Sequence, residues 1–240
     1  MKKITGTFLK NLIVKTGVVL FSALYFSCSN SAPVITSVEA KIVYDYESEK
    51  VRPVQKLSFF LSMDSDVRRV EYINVYNEDT GYRWIINSPN IIQTEGDRQY
   101  AGYTHLTAAV ADNALVPQGN YTVYYIDSCG NEAVNFFKVE YDKDDAKLTS
   151  EKLLEKKSFD KNDIMLAVYS MDSNLLFYDT PYVRFGERNS VDFKEDVKIN
   201  IPDAAYYRIF YKENNIIYIM PRVDVTDQVE QNLKTAESVN

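Results

Sequence analysis

The chain has 240 residues, with 27 lysines and arginines against 34 acids and a net charge of −7. A surface of that sign repels nucleic-acid phosphates and anionic headgroups, which argues against nucleic-acid binding and against a polybasic membrane contact. A single histidine and two cysteines exclude a two-histidine metal site within one chain and leave at most one disulfide.

The N-terminus carries Lys2, Lys3, Lys10 and Lys15 ahead of an apolar segment from Gly17 to Phe26. A basic region followed by an apolar stretch of about 10 residues has the layout of a signal peptide, and is too short for the ~20 residues of a bilayer span. Extending the stretch upstream to Leu12 would bury Lys15 at a cost of roughly 2.5–3.5 kcal/mol. Leu24, Ser27 and Cys28 close the segment. This pattern resembles the lipobox of bacterial lipoproteins, in a relaxed form with Tyr25 and Phe26 where smaller residues are usual. The resemblance implies cleavage before Cys28, a diacylglyceryl group on its sulfur and an acylated new N-terminus. Residues 1–27 are then a signal peptide and 28–33 a lipidated tether that reaches about 17 Å from the membrane. Removing four lysines and no acid shifts the net charge from −7 to −11, so attachment falls to the acyl chains alone. With Cys28 lipidated, Cys129 has no intramolecular partner, and the fold must rest on its core.

Alternation starts directly after the tether. Val38, Ala40, Ile42, Tyr44 and Tyr46 are spaced by two, as are Leu57, Phe59, Leu61 and Met63, the period of half-buried strands. Residues 70–86 read as a hairpin around the turn "NEDTG", and shorter strands are expected at Ile91–Thr94 and Tyr100–Leu106. "NYTVYYID" and "EAVNFFKVEY" flank the turn "SCGN". Seven or so strands closed by turn residues in about 110 residues predict an antiparallel sandwich. Leu115, Pro117, Gly119, Tyr121 and Val123 then resemble the approach to strand F of immunoglobulin-like and fibronectin type III-like domains. "DSCGNEA" resembles the F–G turn of bacterial immunoglobulin-like modules. The resemblance covers residues 34–141 and implies that the Tyr121 hydroxyl ties a corner to upstream backbone, with Pro117 and Gly119 as its structural companions.

The polar stretch 142–150 reads as a linker. A short helix is expected in "SEKLLEKK", with Ser150 as its cap and Leu153 and Leu154 facing inward. Strands follow at Ile164–Tyr169, Leu175–Tyr178, Val191–Ile199, Tyr206–Tyr211 and Ile216–Met220. The reading is an all-β chain, with a smaller, mostly β second domain over 151–223. Pro202 and Tyr206 echo Pro117 and Tyr121 at an offset of 85, which allows either a second, reduced sandwich or two unrelated hairpins. Residues 224–240 are polar, with Val225, Val229 and Leu233 spaced for a short helix or a tail.

Little in the sequence carries chemistry. His105 lies in a predicted strand and no serine stands in a nucleophile elbow. Cys129 sits in a turn without a neighbouring cation. No glycine-rich phosphate loop occurs, and no cofactor or metal is expected. Asp64 with Asp66, and Asp142 with Asp144 and Asp145, are incomplete ligand sets for Ca²⁺. The tyrosine count of 19 is high, and adjacent strand residues face opposite ways. One member each of Tyr124–Tyr125 and Tyr206–Tyr207 must therefore point outward. Tyr82 and Trp84 are the candidate ligand-binding aromatics, able to stack on a sugar or fill a partner's pocket. The expected function is that of a non-enzymatic, membrane-anchored envelope lipoprotein, preferably of the outer membrane, acting as a binding or spacer module with an envelope protein or glycan as partner. A surface carbohydrate-binding or adhesin module is the alternative and an envelope hydrolase the third reading.

Overall fold

A computed structural model describes residues 32–64, 66–93, 98–108, 114–186 and 192–225. The signal segment, Cys28 and the tail bearing Val229 and Leu233 lie outside the described residues.

Eight strands come first: β1 (Ile35–Asp45), β2 (Val54–Met63), β3 (Val70–Asn77), β4 (Arg83–Ile86), β5 (Asn90–Gln93), β6 (Gln99–Leu106), β7 (Gly119–Asp127) and β8 (Glu132–Val139). They divide between two sheets. β1-β2-β6-β5 form part of one, and β4-β3-β7-β8 form the other, a four-stranded antiparallel sheet. Alternation decides which side chains meet between them: Leu57, Phe59 and Leu61 of β2 are fully buried, as are Tyr121, Val123 and Tyr125 of β7. An aromatic row crosses this core. Trp84 stacks on Tyr121, Tyr121 on Phe137 and Phe137 on Phe59, with centroids 5.0–6.4 Å apart.

Two glycines permit close approaches here. Gly119 holds φ at +121°, where an added Cβ would meet the Asp79 carboxylate, which instead accepts from the Asn120 amide at 3.0 Å. At Gly102 an added Cβ would lie 2.0 Å from the Phe59 carbonyl oxygen, beside the bulge where the β2–β6 register shifts between Leu57 and Phe59.

The second half of the chain contributes α1 (Ser150–Lys156), β9 (Ile164–Tyr169), β10 (Leu175–Asp179), α2 (Pro181–Phe185), α3 (Lys194–Asn200), β11 (Tyr206–Glu213), β12 (Ile216–Ile219) and β13 (Val223–Asp224). All five of its strands belong to one sheet, and that sheet is continuous with the sandwich: the order runs β10-β9-β11-β12-β1-β2-β6-β5, with β13 on β11. The join is a parallel ladder in which Ile42 to Asp45 pair with Ile216 to Ile219. The result is a nine-stranded mixed sheet. Cross-strand partners share a face, so Tyr44, Tyr218 and Tyr211 all lie on the side that the four-stranded sheet covers over β1 and β2. Beyond the join, the helices and the loops between them take over that covering.

Several local expectations are corrected. Val191–Ile199 is not a strand: residues 194–200 form α3. Phe193, Val197 and Ile201 recur every four residues and are buried. Glu195 and Asp196 open the helix and Lys198 closes it, the charge order that the helix dipole favours. In α1 the cap is Thr149, whose Oγ1 accepts from the Lys152 amide at 3.4 Å, and Ser150 is already helical. Leu153 is buried, but Leu154 faces out at 41% exposure. The echo of Pro117 and Tyr121 does not repeat their contact, because the Tyr206 hydroxyl meets Ser173 Oγ at 3.2 Å.

Candidate functional site

Two places concentrate chemistry: the join between the sandwich and the C-terminal strands, and a cleft beside α1.

At the join, residues 145–147 make one turn of 3₁₀ helix that pushes Asp145 and Ala146 inward. The Asp145 carboxylate receives Lys156 and Lys157, each at 2.8 Å, and the Tyr218 hydroxyl at 3.0 Å. Lys157 also pairs with Glu213, and the Tyr218 ring lies 5.3 Å from that of Tyr44 and nearly parallel to it. Burial alone would raise the Asp145 carboxyl, but hydrogen bonds from Lys156, Lys157 and Tyr218 outweigh it and hold the group below its usual value. Burial would likewise lower Lys157, yet its bonds to Asp145 and Glu213 keep it above the usual lysine value. Carboxylate, lysines and hydroxyl are thus all engaged with one another, and together they tie the 145–147 turn and α1 to β11 and β12 as a clamp.

The opposite face of the join has its own clamp. Arg208 of β11 reaches across β12 to Asp45 at 2.6 Å and to the Tyr46 carbonyl oxygen at 3.0 Å. Asp45 also takes Lys56 at 2.7 Å. Burial opposes ionisation of Asp45, and the bonds from Lys56 and Arg208 overcome it and lower its pKa.

The cleft lies between α1 and the part of the sheet formed by β11 and the segment from Met220 to Val223, and encloses about 510 Å³, within the usual range for binding sites. Its floor is apolar: Ile209 and Tyr211 from β11, Met220 after β12, all buried. Leu154 forms one wall, with Pro221 and Val223 opposite. Glu49, Glu151 and Glu155 stand at the rim, none with an ion-pair partner among the described residues. The cation at the rim, Arg222, is already engaged: it pairs with Asp224 at 2.6 Å and lies 3.8 Å over the Tyr206 ring. Ser150 also lines the cleft, with its hydroxyl 3.5 Å from the Glu49 carbonyl oxygen.

The residues singled out from sequence fall elsewhere. Tyr121 donates its hydroxyl to the Pro117 carbonyl oxygen at 2.6 Å, closing the loop before β7. Trp84 is half-buried, and one face of its ring is taken by Tyr121. Its Nε1 donates to the Thr107 carbonyl oxygen at 2.9 Å, and Tyr82 packs against it at 4.7 Å. These contacts pack Trp84 against the margin of the sandwich core and leave part of its ring exposed. Of the tyrosine pairs, Tyr125 and Tyr207 are buried, while Tyr124 and Tyr206 are the partly exposed members. His105 is exposed on β6, its Nδ1 2.6 Å from Thr104 Oγ1, and Cys129 is exposed in the β7–β8 turn.

That turn explains the Asp-x-x-Gly-Asn spacing. Asp127 accepts from the amides of Cys129 and Asn131 and from Arg69 at 2.6–2.9 Å, and Gly130 supplies a φ of +80°. The acidic pairs weighed for Ca²⁺ meet cations of the chain: Asp66 binds Arg68, Asp142 binds Lys156 and Asp144 binds Lys147. No cluster of three or more metal-ligating side chains occurs among the described residues, and no helix there is long and apolar enough to cross a membrane. The cleft was not foreseen from the sequence. Its one local signal was Glu151, Leu154 and Glu155 at helical spacing, with the leucine left over after Leu153 took the inward position.

No protein-family model matches the chain, and no curated protein is found similar to it.

Proposed function

We propose that this is a lipid-anchored cell-envelope protein that works by binding rather than catalysis, with an immunoglobulin-like sandwich as scaffold and the α1 cleft as contact site. The observation that carries the anchoring is Cys28, placed after an apolar segment of signal-peptide length and a small residue. Only four residues separate it from Pro33, and β1 begins at Ile35, so the sandwich would stand close to the membrane. Support for the immunoglobulin-like reading comes from the sheet order. β1-β2-β6-β5 facing β4-β3-β7-β8 is the A-B-E-D and C-F-G arrangement with an added strand beside C, and Tyr121 occupies the corner before strand F.

Support for binding over catalysis comes from the state of the ionisable groups. The buried carboxylates are ion-paired, His105 stands on β6 away from the cleft, and the cleft lining contains neither histidine nor cysteine. The outer membrane is the preferred location.

Native protein extracted from cells should show, by intact mass, cleavage before Cys28 and added acyl mass. Cys28→Ser should move the protein from the detergent to the aqueous phase. An unmodified Cys28 in the native protein overturns the anchoring. Loss of the protein from intact cells on protease treatment would place it on the external face, and protection would place it on the periplasmic face.

A further inference from the structure

We infer that the α1 cleft docks a basic segment of a protein partner, in which one apolar side chain is flanked by lysine or arginine. The inference rests on the binding reading above and adds the chemistry of the partner.

The floor of Ile209, Tyr211 and Met220, with Leu154 as wall, offers an apolar side chain a place out of water. Leu154 is the informative residue. A leucine 41% exposed at the lip of an apolar cleft gains burial only if something covers it. The rim then selects the sign of the partner. Glu49, Glu151 and Glu155 converge on the cleft without cations of their own, while Arg222 is held by Asp224 and Tyr206. An anionic or neutral ligand would leave three carboxylates facing an apolar contact, whereas a cationic one pairs with them as they lose water.

Glu151 and Glu155 stand one helical turn apart on α1, about 6 Å, and the long side chains of lysines on either side of an apolar anchor can reach both. Two other occupants fail on charge. A second copy brings a chain of net charge −7 toward an acidic rim. The chain's own residues 226–240, which follow β13, carry Asp227, Glu230 and Glu237 against Lys234 alone.

The test uses the full-length protein in a non-ionic detergent and fluorescence anisotropy of a labelled peptide, Ser-Lys-Leu-Lys-Met-Lys-Ser. Two controls replace every Lys by Glu, or Leu and Met by Ser. The basic apolar peptide is expected to bind at least tenfold more tightly than either control. Glu151→Gln with Glu155→Gln should weaken it about tenfold, and Leu154→Ser at least fivefold. Phe136→Ser, at an exposed phenylalanine on β8 of the other sheet, should leave binding unchanged. Equal binding of the acidic control, indifference to both cleft variants, or equal loss in Phe136→Ser overturns the proposal. So does a concentration-dependent dimer that Leu154→Ser dissolves, since the occupant would then be a second copy. The mass of Cys28 decides the anchoring separately, so a failed peptide and a failed anchor are told apart.

Discussion

In the sandwich, two sheets cover each other, and the material between them is apolar and aromatic, with the row from Trp84 through Tyr121 and Phe137 to Phe59 at its centre. In the C-terminal region one sheet is covered by helices of five to seven residues, too short to stand alone. There the join is held by charge on both faces: Asp145 with two lysines on one side, Asp45 with Arg208 and Lys56 on the other. Two ways of attaching β-structure thus meet on a single sheet. Apolar packing tolerates small losses at many positions, whereas a clamp centred on one buried carboxylate concentrates the dependence on that group.

The largest test removes the centre of the clamp. Asp145→Ala leaves Lys157 partly buried without one of its two carboxylates, and removal of one partner of a buried pair typically costs about 3–5 kcal/mol. Because Lys156 is 45% exposed, the lower end of that range is expected, with amide protection lost first in β9 to β13 by hydrogen exchange. Uniform loss over both regions would show that they unfold as one unit and would break the contrast.

Gly102→Ala strikes the sandwich instead. The new methyl group meets the Phe59 carbonyl, and overpacking of this kind costs roughly 1–3 kcal/mol. A lower urea midpoint with peptide binding at the α1 cleft unchanged is the expected result.

Acid probes both regions together. The pKa values of Asp45, Asp127 and Asp145 are all lowered; burial opposes the shift in each case and hydrogen bonds outweigh it. A carboxyl lowered in the folded state contributes stability that is complete above its unfolded pKa of about 4 and is lost as pH falls through the folded value. Urea midpoints should therefore hold steady near neutrality and fall below about pH 4, and Asp145→Asn should shrink the part of that fall seen in β9 to β13.

The smallest effect is expected from Tyr121→Phe. It deletes a single hydrogen bond to Pro117, worth about 0.5–1.5 kcal/mol, while the ring stays in its stack. An unchanged midpoint would mean that the corner contributes nothing beyond the ring.

Period-two patterns made the sandwich legible in the sequence because its long strands have one buried face; β2 and β7 could be placed from their alternation alone. Tyr121 was legible because its neighbours Pro117 and Gly119 mark the turn it closes. The join was not. A parallel pairing between residues 42–45 and 216–219 leaves no local mark, since strand partners far apart in sequence impose no spacing on each other. Asp145 was hidden for a related reason: in "DKDDAK" nothing local separates the one aspartate that turns inward from the others. Residues 191–199 misled because Phe193, Val197 and Ile199 fit two periods at once, and burial chose the four-residue one, leaving Ile199 74% exposed. Nothing local in the sequence shows that Trp84, on the edge strand β4, shares its ring with Tyr121 and Tyr82.

The place of β1 in the sheet has a mechanical consequence. The first strand is not at an edge: it pairs with β2 along its length from Ile35 to Asp45 and with β12 at its far end. A pull on the N-terminus runs along the axis of β1, so the ladder bonds to β2 are loaded in shear and must yield together rather than peel one by one. Under the proposed anchoring, a load between the N-terminus and a partner in the cleft would enter through β1 and cross the parallel ladder to β12 and β11, with Asp145 and Arg208 as the bolts on either face.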